Sequence, residues 1–240
     1  MQADTNGPWL LERLDRVARE LIARAAPVRF ATATSDSDRR GLYALRYRTV
    51  VEEGWVQPDA LPEGLESDVH DADAVHLIGW DGEVMAATVR LVIPGPDRLL
   101  PTEEAFELSV VPRGEVVDVG RGIVAPHYRG LGHATFFGLL AAAWLETRAL
   151  GFRQVCATIA PSMLPHYRAM GFHVNVLGPS RFWWGQERLP IQLDGTRCSA
   201  AALEELSGIP EAAWTAHGRP GSSGATGSST STGTRRPTRA

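Results

Sequence analysis

The chain contains no lysine, so all 24 of its basic residues are arginine. A coding bias accounts for this, and no function is assigned to it. Cysteine is scarce too: Cys156 and Cys198 stand far apart with no C-x-x-C pair, so neither a metal site nor a disulfide framework is indicated, which fits a reducing compartment. Positive charge is not in excess. The 28 acids against 24 arginines leave a formal charge of −4 with the signs interspersed, a poor footprint for nucleic acid or an anionic membrane. Long apolar runs are absent from the start of the chain, where residues 1–26 interleave four acids with four arginines. That pattern excludes a signal peptide or membrane span there, and a cytoplasmic protein is expected.

What remains is a 240-residue chain, 44% hydrophobic, enough for one well-packed domain with short appendages. Leu10, Leu14, Val17, Leu21 and Ile22 share one helical face, opposite Glu12, Arg13, Asp15, Arg16, Arg19 and Glu20. Residues 1–27 therefore read as an amphipathic helix that packs on the core or on a second copy rather than on a membrane. The main domain is expected over 28–195, a short helical extension over 196–218, and a disordered tail over 219–240, where Gly, Ser, Thr, Pro and Arg predominate.

Within the main domain, alternation over 28–34 predicts a first strand. The Ser35-Asp36-Ser37-Asp38 stretch offers N-caps for a helix over 39–53. Strands over 75–80 and 83–93 flank Asp81-Gly82, a hairpin signal. A Pro-rich connection leads to a strand over 115–124, a long helix over 130–150, a strand over 153–159 and a short helix over 162–170. Strands over 172–177 and 189–193 complete the expected sheet, with a small helix over 200–206.

Chemistry concentrates where the strand ending at Val124 runs into a Gly-rich turn that opens a helix. Free backbone N–H groups at a helix start attract anions, and small residues let a diphosphate approach. The plain alternative is a Gly-rich strand-to-helix turn. Arg129-Gly130-Leu131-Gly132-His133-Ala134 resembles the R/Q-x-x-G-x-G/A loop with which GNAT acyltransferases hold the diphosphate of coenzyme A. Tyr167-Arg-Ala-Met-Gly171-Phe172 resembles the Tyr-x-x-x-Gly-Phe signature of the same superfamily, with the required strand between them. The resemblance implies an α/β GNAT fold, a central mixed sheet flanked by helices. It further implies that the strand before the loop splays from its neighbour and that Ile123 and Val124 offer backbone hydrogen bonds to the pantetheine arm. By the same resemblance Tyr167 lies near the thioester sulfur and protonates the departing thiolate, a nearly level transfer from a phenol of pKa about 10 to a thiol of about 8.5. A core tyrosine with a satisfied hydroxyl is the plain alternative.

The N-terminal half narrows the resemblance. Leu45-Arg46-Tyr-Arg-Thr-Val50, Trp55, Glu66-Ser-Asp68-Val-His-Asp71, Thr88-Val-Arg90 and Asp118-Val-Gly-Arg121 are similar to the pattern of acyl-homoserine-lactone (autoinducer) synthases. Long-chain N-acyl amino acid synthases and ornithine-lipid acyltransferases share parts of it. This sequence departs from the autoinducer pattern at Val50, where an aromatic is usual, in the spacing before Trp55, at Asp118, where Glu is usual, and in its complete phosphate loop. The resemblance thus leaves the acceptor open, with acyl-CoA or an acyl carrier protein as donor.

Arg46, Asp68, Asp71, Arg90, Asp118 and Arg121 alternate in sign, so close packing would make them an ion-pair network, either scaffolding or acting on the acceptor. Arg46, Trp55, Asp68, Asp71, Arg90 and Arg121 are the expected acceptor-binding residues. Asp118 is the expected base, because aminolysis needs a neutral amine. The cluster Asp68, His70, Asp71 and Asp73 lacks the glycine turn and late Glu of a calcium loop and reads as a loop paired with arginine, not a metal site. Trp183-Trp184 either line a pocket or cap the core. The expected reaction is transfer of an acyl group to a small amino-acid-like amine. The rival readings are an N-acetyltransferase acting on an antibiotic or biosynthetic intermediate and a non-catalytic acyl-CoA sensor.

Overall fold

The structure, a computed structural model, describes residues 7–61, 63–130, 133–199, 201, 202 and 205. In chain order the helices are α1 (Gly7–Arg24), α2 (Asp36–Glu52), α3 (Pro101–Phe106), α4 (Ala134–Ala149) and α5 (Leu164–Ala169). The strands are β1 (Arg29–Thr32), β2 (Val75–Asp81), β3 (Val84–Val92), β4 (Val116–Val124), β5 (Gln154–Ile159), β6 (Val174–Val176), β7 (Arg181–Trp183) and β8 (Gln186–Asp194). They form one eight-stranded sheet in the order β1-β2-β3-β4-β5-β8-β6, with β7 on β8. Only the β4–β5 pair is parallel. The expected mixed sheet with flanking helices is therefore present.

Local chemistry explains the boundaries. α2 begins at Asp36, earlier than expected, because Ser35 Oγ accepts the Asp38 N–H at 3.0 Å while Asp38 Oδ2 accepts the Ser35 N–H at 3.1 Å. This reciprocal capping satisfies two amides the first turn leaves unpaired. α3 falls inside the connection read as Pro-rich. Pro101 takes the first helical position, where its missing N–H costs nothing. Glu103 holds the ends of that segment by accepting from Leu100 N–H at 2.9 Å and Val110 N–H at 2.8 Å. A six-residue helix is too short for periodicity to show. The β2–β3 turn lies one residue beyond Asp81-Gly82, since Asp81 still pairs with Val84.

α4 lies on one face of the sheet, where Leu139, Ala142 and Ala143 pack on Val89, Leu91 and Val117. α2 covers the other face of β3 with Leu42, Leu45, Arg46, Thr49 and Val50, a helical stripe that carries an arginine in its middle. α3 covers the β4–β5 edge of that face, where Val116 and Cys156 meet Leu100 and Val110. α1 is part of this body rather than an independent appendage. Its Leu14 and Val17 pack with Trp144 and Cys198, and Asp15 accepts the Trp144 indole N–H at 2.8 Å. Among the described residues no helix is long and apolar enough to cross a membrane. Of the helix expected over 200–206, residues 201, 202 and 205 are helical; the tail over 219–240 lies outside the described residues.

Candidate active site

β4 and β5 pair only over Val116–Asp118 and Gln154–Cys156. Beyond that point Ala157–Ile159 pairs with β8 alone, and Val119–Val124 pairs with β3 alone. A wedge-shaped gap therefore opens in the sheet, with Asp118 and Cys156 at its vertex. A bulge in β4 accompanies it. Arg90 stands opposite Gly120 and Thr88 opposite Ile123, so Val89 faces both Arg121 and Gly122. Bulges bend the strand that carries them and re-aim its side chains. Arg121 adopts φ 55°, a left-handed conformation that is rare without glycine. Val119 packs with the α4 cluster, and in a regular strand Arg121 would follow it. The bulge turns Arg121 to the α2 face instead, beside Arg90.

The backbone past the bulge is equally specific. Ala125 N–H bonds to Ala86 O at 2.8 Å, which fixes the phase of the antiparallel ladder. Ile123, two residues back, turns its own amide and carbonyl toward β3, while Val124 turns into the gap. Of the two residues expected to offer backbone groups there, Ile123 is thus committed to the ladder, and Val124 faces the opening. The Val124 carbonyl accepts from Arg129 Nε at 2.8 Å, and Arg129 Nη1 reaches Glu53 Oε1 at 2.6 Å. Gly130 precedes α4, His133 is its N-cap at φ 60° and makes no side-chain cap bond, and Ala134 is its first residue. Among the described residues, then, His133 leaves the first-turn amides without a side-chain cap. Leu131 and Gly132 lie outside the described residues.

On the α2 face, three arginines meet three carboxylates. Arg46 donates through Nε to Glu66 Oε2, through Nη1 to Asp71 Oδ1 at 2.8 Å and through Nη2 to Asp71 Oδ2 at 3.1 Å. Arg90 Nη1 contacts Asp68 Oδ1 at 2.6 Å and Asp71 Oδ1 at 3.1 Å. Arg121 closes the network through Glu66 Oε1 at 3.0 Å and Asp68 Oδ2 at 2.8 Å. The loop shapes itself around these acids, since Asp71 Oδ2 accepts the Asp68 N–H at 2.7 Å. Burial pushes the Asp71 carboxyl up, but its bond and attraction to Arg46, then Arg90, outweigh this and hold it at about 2. Asp68 is lowered in the same way by Arg90 and Arg121 against its burial. Burial depresses His76, which keeps it neutral beside the Asp71 carbonyl.

Asp118, expected in this network, is not part of it; Glu66 takes that place. Asp118 lies under α3, where Oδ2 accepts the Thr102 N–H at 2.7 Å and stands 3.5 Å from Cys156 Sγ. Its other oxygen faces the bare backbone of Gly120, where the gap begins. Burial raises the carboxyl above the ordinary range, and the bonds from Thr102 and the distant charge of Arg90 do not reverse this. Cys156 is raised further still by its own burial and by Asp118. The other two residues of the Asp68–Asp73 loop read as arginine-paired are also partnered: Asp73 with Arg98 at 3.2 Å, and His70 Nε2 with Glu104 Oε2 at 2.8 Å.

An aromatic corner closes the gap on this face. β8 runs past the end of β5, because Leu189 pairs with Ile159 while Gln186–Arg188 pairs only with β7. The turn between β7 and β8 is Trp184-Gly185, both left-handed at φ 50° and 83°. Glycine is required at the second position, where a Cβ would stand 2.3 Å from that of Trp55. Trp55 and Trp184 rings lie 5.6 Å apart, and the Arg121 guanidinium sits 4.0 Å from the Trp184 ring. Trp183 and Trp184 therefore line this corner. Glu66 stands in the quoted loop pattern but outside the expected site residues, and Arg188, which lies over Trp55 at 5.1 Å, stands in neither. Glu66 sits in the acid-rich loop and was legible as a candidate; Arg188 carries no local signal.

Tyr167 on α5 packs against Phe172 at 6.3 Å beside Ile159 and Leu189. Burial pushes its phenol up to about 12. That shift makes proton transfer from Tyr167 to a thiolate less level than for an ordinary tyrosine. Gly171 ends α5 at φ 83°, close against Ser199 and Ala202.

Residues 45–137 match the family model of the acetyltransferase (GNAT) domain. Over that segment the chain has the sequence pattern of a GNAT domain. The matched segment includes the whole ion-pair network, the bulged strand and the start of α4, whereas Tyr167 and the β7–β8 hairpin lie beyond it. Solved structures agree with this GNAT fold. TofI, in a ternary complex with an inhibitor and MTA, is 26% identical with a TM-score of 0.56, over 74% of this chain and 95% of that one. BjaI, a CoA-dependent acyl-homoserine lactone synthase with SAM and isopentyl-CoA, is 22% identical with a TM-score of 0.56, over 76% of this chain and 90% of its own. FeeM, an N-acyl amino acid synthase from uncultured soil microbes, is 14% identical with a TM-score of 0.54, over 73% of this chain and 96% of its own. The likeness to the last two is one of fold. Among curated protein sequences none matches significantly.

Proposed function

We propose that the GNAT domain transfers an acyl group from acyl-CoA to the α-amino group of a small amino-acid-like acceptor, giving an amide and free thiol. The observation that carries this reading is the gap between β4 and β5, with Val124 turned into it and the uncapped start of α4 beyond it. A pantetheine arm fits such a gap as an extra strand. Its diphosphate then meets the N–H groups of the α4 start, with Arg129, Gly130, Leu131, Gly132, His133 and Ala134 as the loop and Arg129 as its cation. Fold likeness to one synthase solved with SAM and isopentyl-CoA and to an N-acyl amino acid synthase supports an acceptor bearing an α-amino acid group. A carrier-protein donor would present the same arm without the nucleotide.

In this reading the neutral amine attacks the thioester carbonyl, the C–N bond forms and the C–S bond breaks. A free amino acid's amine is mostly protonated at neutral pH, so the attack needs a base to take its proton. Asp118 takes the amine proton through a water at Gly120, and its raised basicity suits that task. Burial makes the Tyr167 phenol a weaker acid than an ordinary tyrosine, at about 12, so its hydrogen bond to the sulfur counts for more than full transfer of its proton. It donates a hydrogen bond to the leaving thiolate, and the proton that Asp118 takes from the amine returns through solvent to give the free thiol. The network of Arg46, Glu66, Asp68, Asp71, Arg90 and Arg121 shapes the acceptor side of the gap, and Trp55 walls it.

The test is to incubate the full chain with acyl-CoAs of increasing length and a panel of L-amino acids, S-adenosylmethionine and simple amines. Thiol release is followed, and amides are identified by mass spectrometry. Amine-dependent thiol release with an N-acyl amino acid or N-acyl lactone product is expected. Acetylation of amines lacking an amino acid group would favour the small-molecule N-acetyltransferase instead, and CoA binding without turnover would make the protein a sensor.

A further inference from the structure

Arg188 differs from the other arginines around the gap. Arg46, Arg90 and Arg121 each hold two carboxylates, whereas Arg188 has no acidic partner among the described residues. Its Nε is buried without a hydrogen-bond partner. A neutral group serves the rest: with the Gln186 amide turned oxygen-inward, that oxygen accepts from Nη2 at 2.6 Å and Nη1 at 3.2 Å. Trp55 covers the guanidinium at 5.1 Å, and Trp184, held at a left-handed φ that a bulky residue rarely adopts, stacks under neighbouring Arg121. Arg188 is half-buried, and a partly desolvated cation next to a second one is stabilised when an anion joins it.

The location narrows the anion. Arg121 is three residues, about 10 Å, from Asp118 along β4, so this corner flanks the gap on the Asp118 side, while the diphosphate loop begins at Arg129, past the far end of the strand. In an α-amino acid the carboxylate is one carbon from the amine, so its receptor has to adjoin the point of attack. We propose that Arg188, walled by Trp55 and Trp184, receives the carboxylate of the acceptor amino acid and selects such acceptors over neutral amines. The inference rests on the acyl-transfer reading above. Burial, then the like charge of Arg121, bring Arg188 down to about 10, which leaves it protonated at neutral pH and ready for an anion. Arginine presents a planar pair of donors that a carboxylate matches in bidentate fashion.

The experiment compares wild type, Arg188→Gln and Arg188→Lys on matched acceptors: L-methionine, L-leucine and L-phenylalanine against their amides, with S-adenosylmethionine alongside. The donor is the acyl-CoA that wild type turns over fastest, and melting temperatures are recorded for each variant. The acid-to-amide preference in kcat/KM is compared between proteins, which cancels the difference in amine basicity. Arg188→Gln is expected to cut that preference about 10–100-fold through the acid's KM, with the KM for acyl-CoA unchanged. Arg188→Lys, which keeps the charge, is expected to restore part of it and also serves if the Gln variant does not fold. An unchanged preference in both variants, with amino acids still acylated, overturns the role of Arg188 alone. Acylation by wild type of amides and plain amines, but of no acid and not of S-adenosylmethionine, overturns the acceptor reading itself.

Discussion

Asp71 and Asp118 are both almost fully buried, yet their carboxyls move in opposite directions, one held at about 2 and the other raised above the ordinary range. Burial pushes both up. The difference is arginine: Asp71 accepts a two-pronged bond from Arg46 and lies against Arg90, whereas Asp118 has only an amide and a thiol. The contrast separates two kinds of region. In the network, charges answer one another and set the shape of the loop over β3 and β4. At the vertex and the tryptophan corner, Asp118 and Arg188 hold no ion pair among the described residues, and those are the groups assigned chemistry.

The sharpest way to break the network is Arg46→Met, which leaves Glu66 and Asp71 without their shared cation. Removing one partner of a buried pair costs about 3–5 kcal/mol. At roughly 2–4 °C per kcal/mol for a domain of this size, Tm should drop by about 6–20 °C in calorimetry at pH 7. Acid probes the same region. Because the folded pKa of Asp71 is depressed, its contribution is present above the unfolded value near 3.8 and is lost as pH falls through about 2. This should remove about 2 kcal/mol from urea-unfolding stability between about pH 4 and pH 2, and less in the Arg46 variant. Asp118 has the opposite sign. Its raised folded pKa favours the protonated fold, so its contribution is complete below 3.8 and is lost as pH rises through the folded value.

The donor side offers smaller effects. Ala134→Asp puts an acid at the first residue of α4, where the dipole favours it by about 0.3–1 kcal/mol, so Tm should hold or rise. The same charge faces the CoA diphosphate, and calorimetric affinity should fall about 10-fold or more. Unchanged affinity would remove the loop from the donor site. Tyr167→Phe should lower kcat by about 10-fold with the KM for acyl-CoA nearly unchanged, the scale of one hydrogen bond to a charged atom.

The donor side was legible because its parts are contiguous: a strand, a Gly-rich turn and a helix start occupy one stretch from Val116 to Ala134. The gap followed from that resemblance. The network was legible only in its members' types. Which carboxylate joined it was decided by features that no spacing shows. The bulge turned Arg121 onto the face of Arg90, and Glu66 came within its reach from a loop 55 positions away. Asp118 kept the register of Val116 and so went under α3, a helix whose six residues gave no periodic signal. Arg188 belongs to the site only because β8 outruns β5, a property of strand length rather than of residue type.

The division between paired and unpaired charges is tested most directly by making the same substitution at both aspartates, Asp71→Asn and Asp118→Asn, and measuring Tm and the pH–rate profile of each. Asp71→Asn should melt several degrees lower, with a pH–rate profile of wild-type shape. Asp118→Asn, whose amide oxygen still accepts the Thr102 N–H, should keep or raise Tm. Its turnover should fall by about 10²–10⁴-fold, most severely at low pH, and recover in part as the free amine becomes abundant. A loss of Tm in Asp118→Asn with a wild-type pH–rate profile would contradict the account.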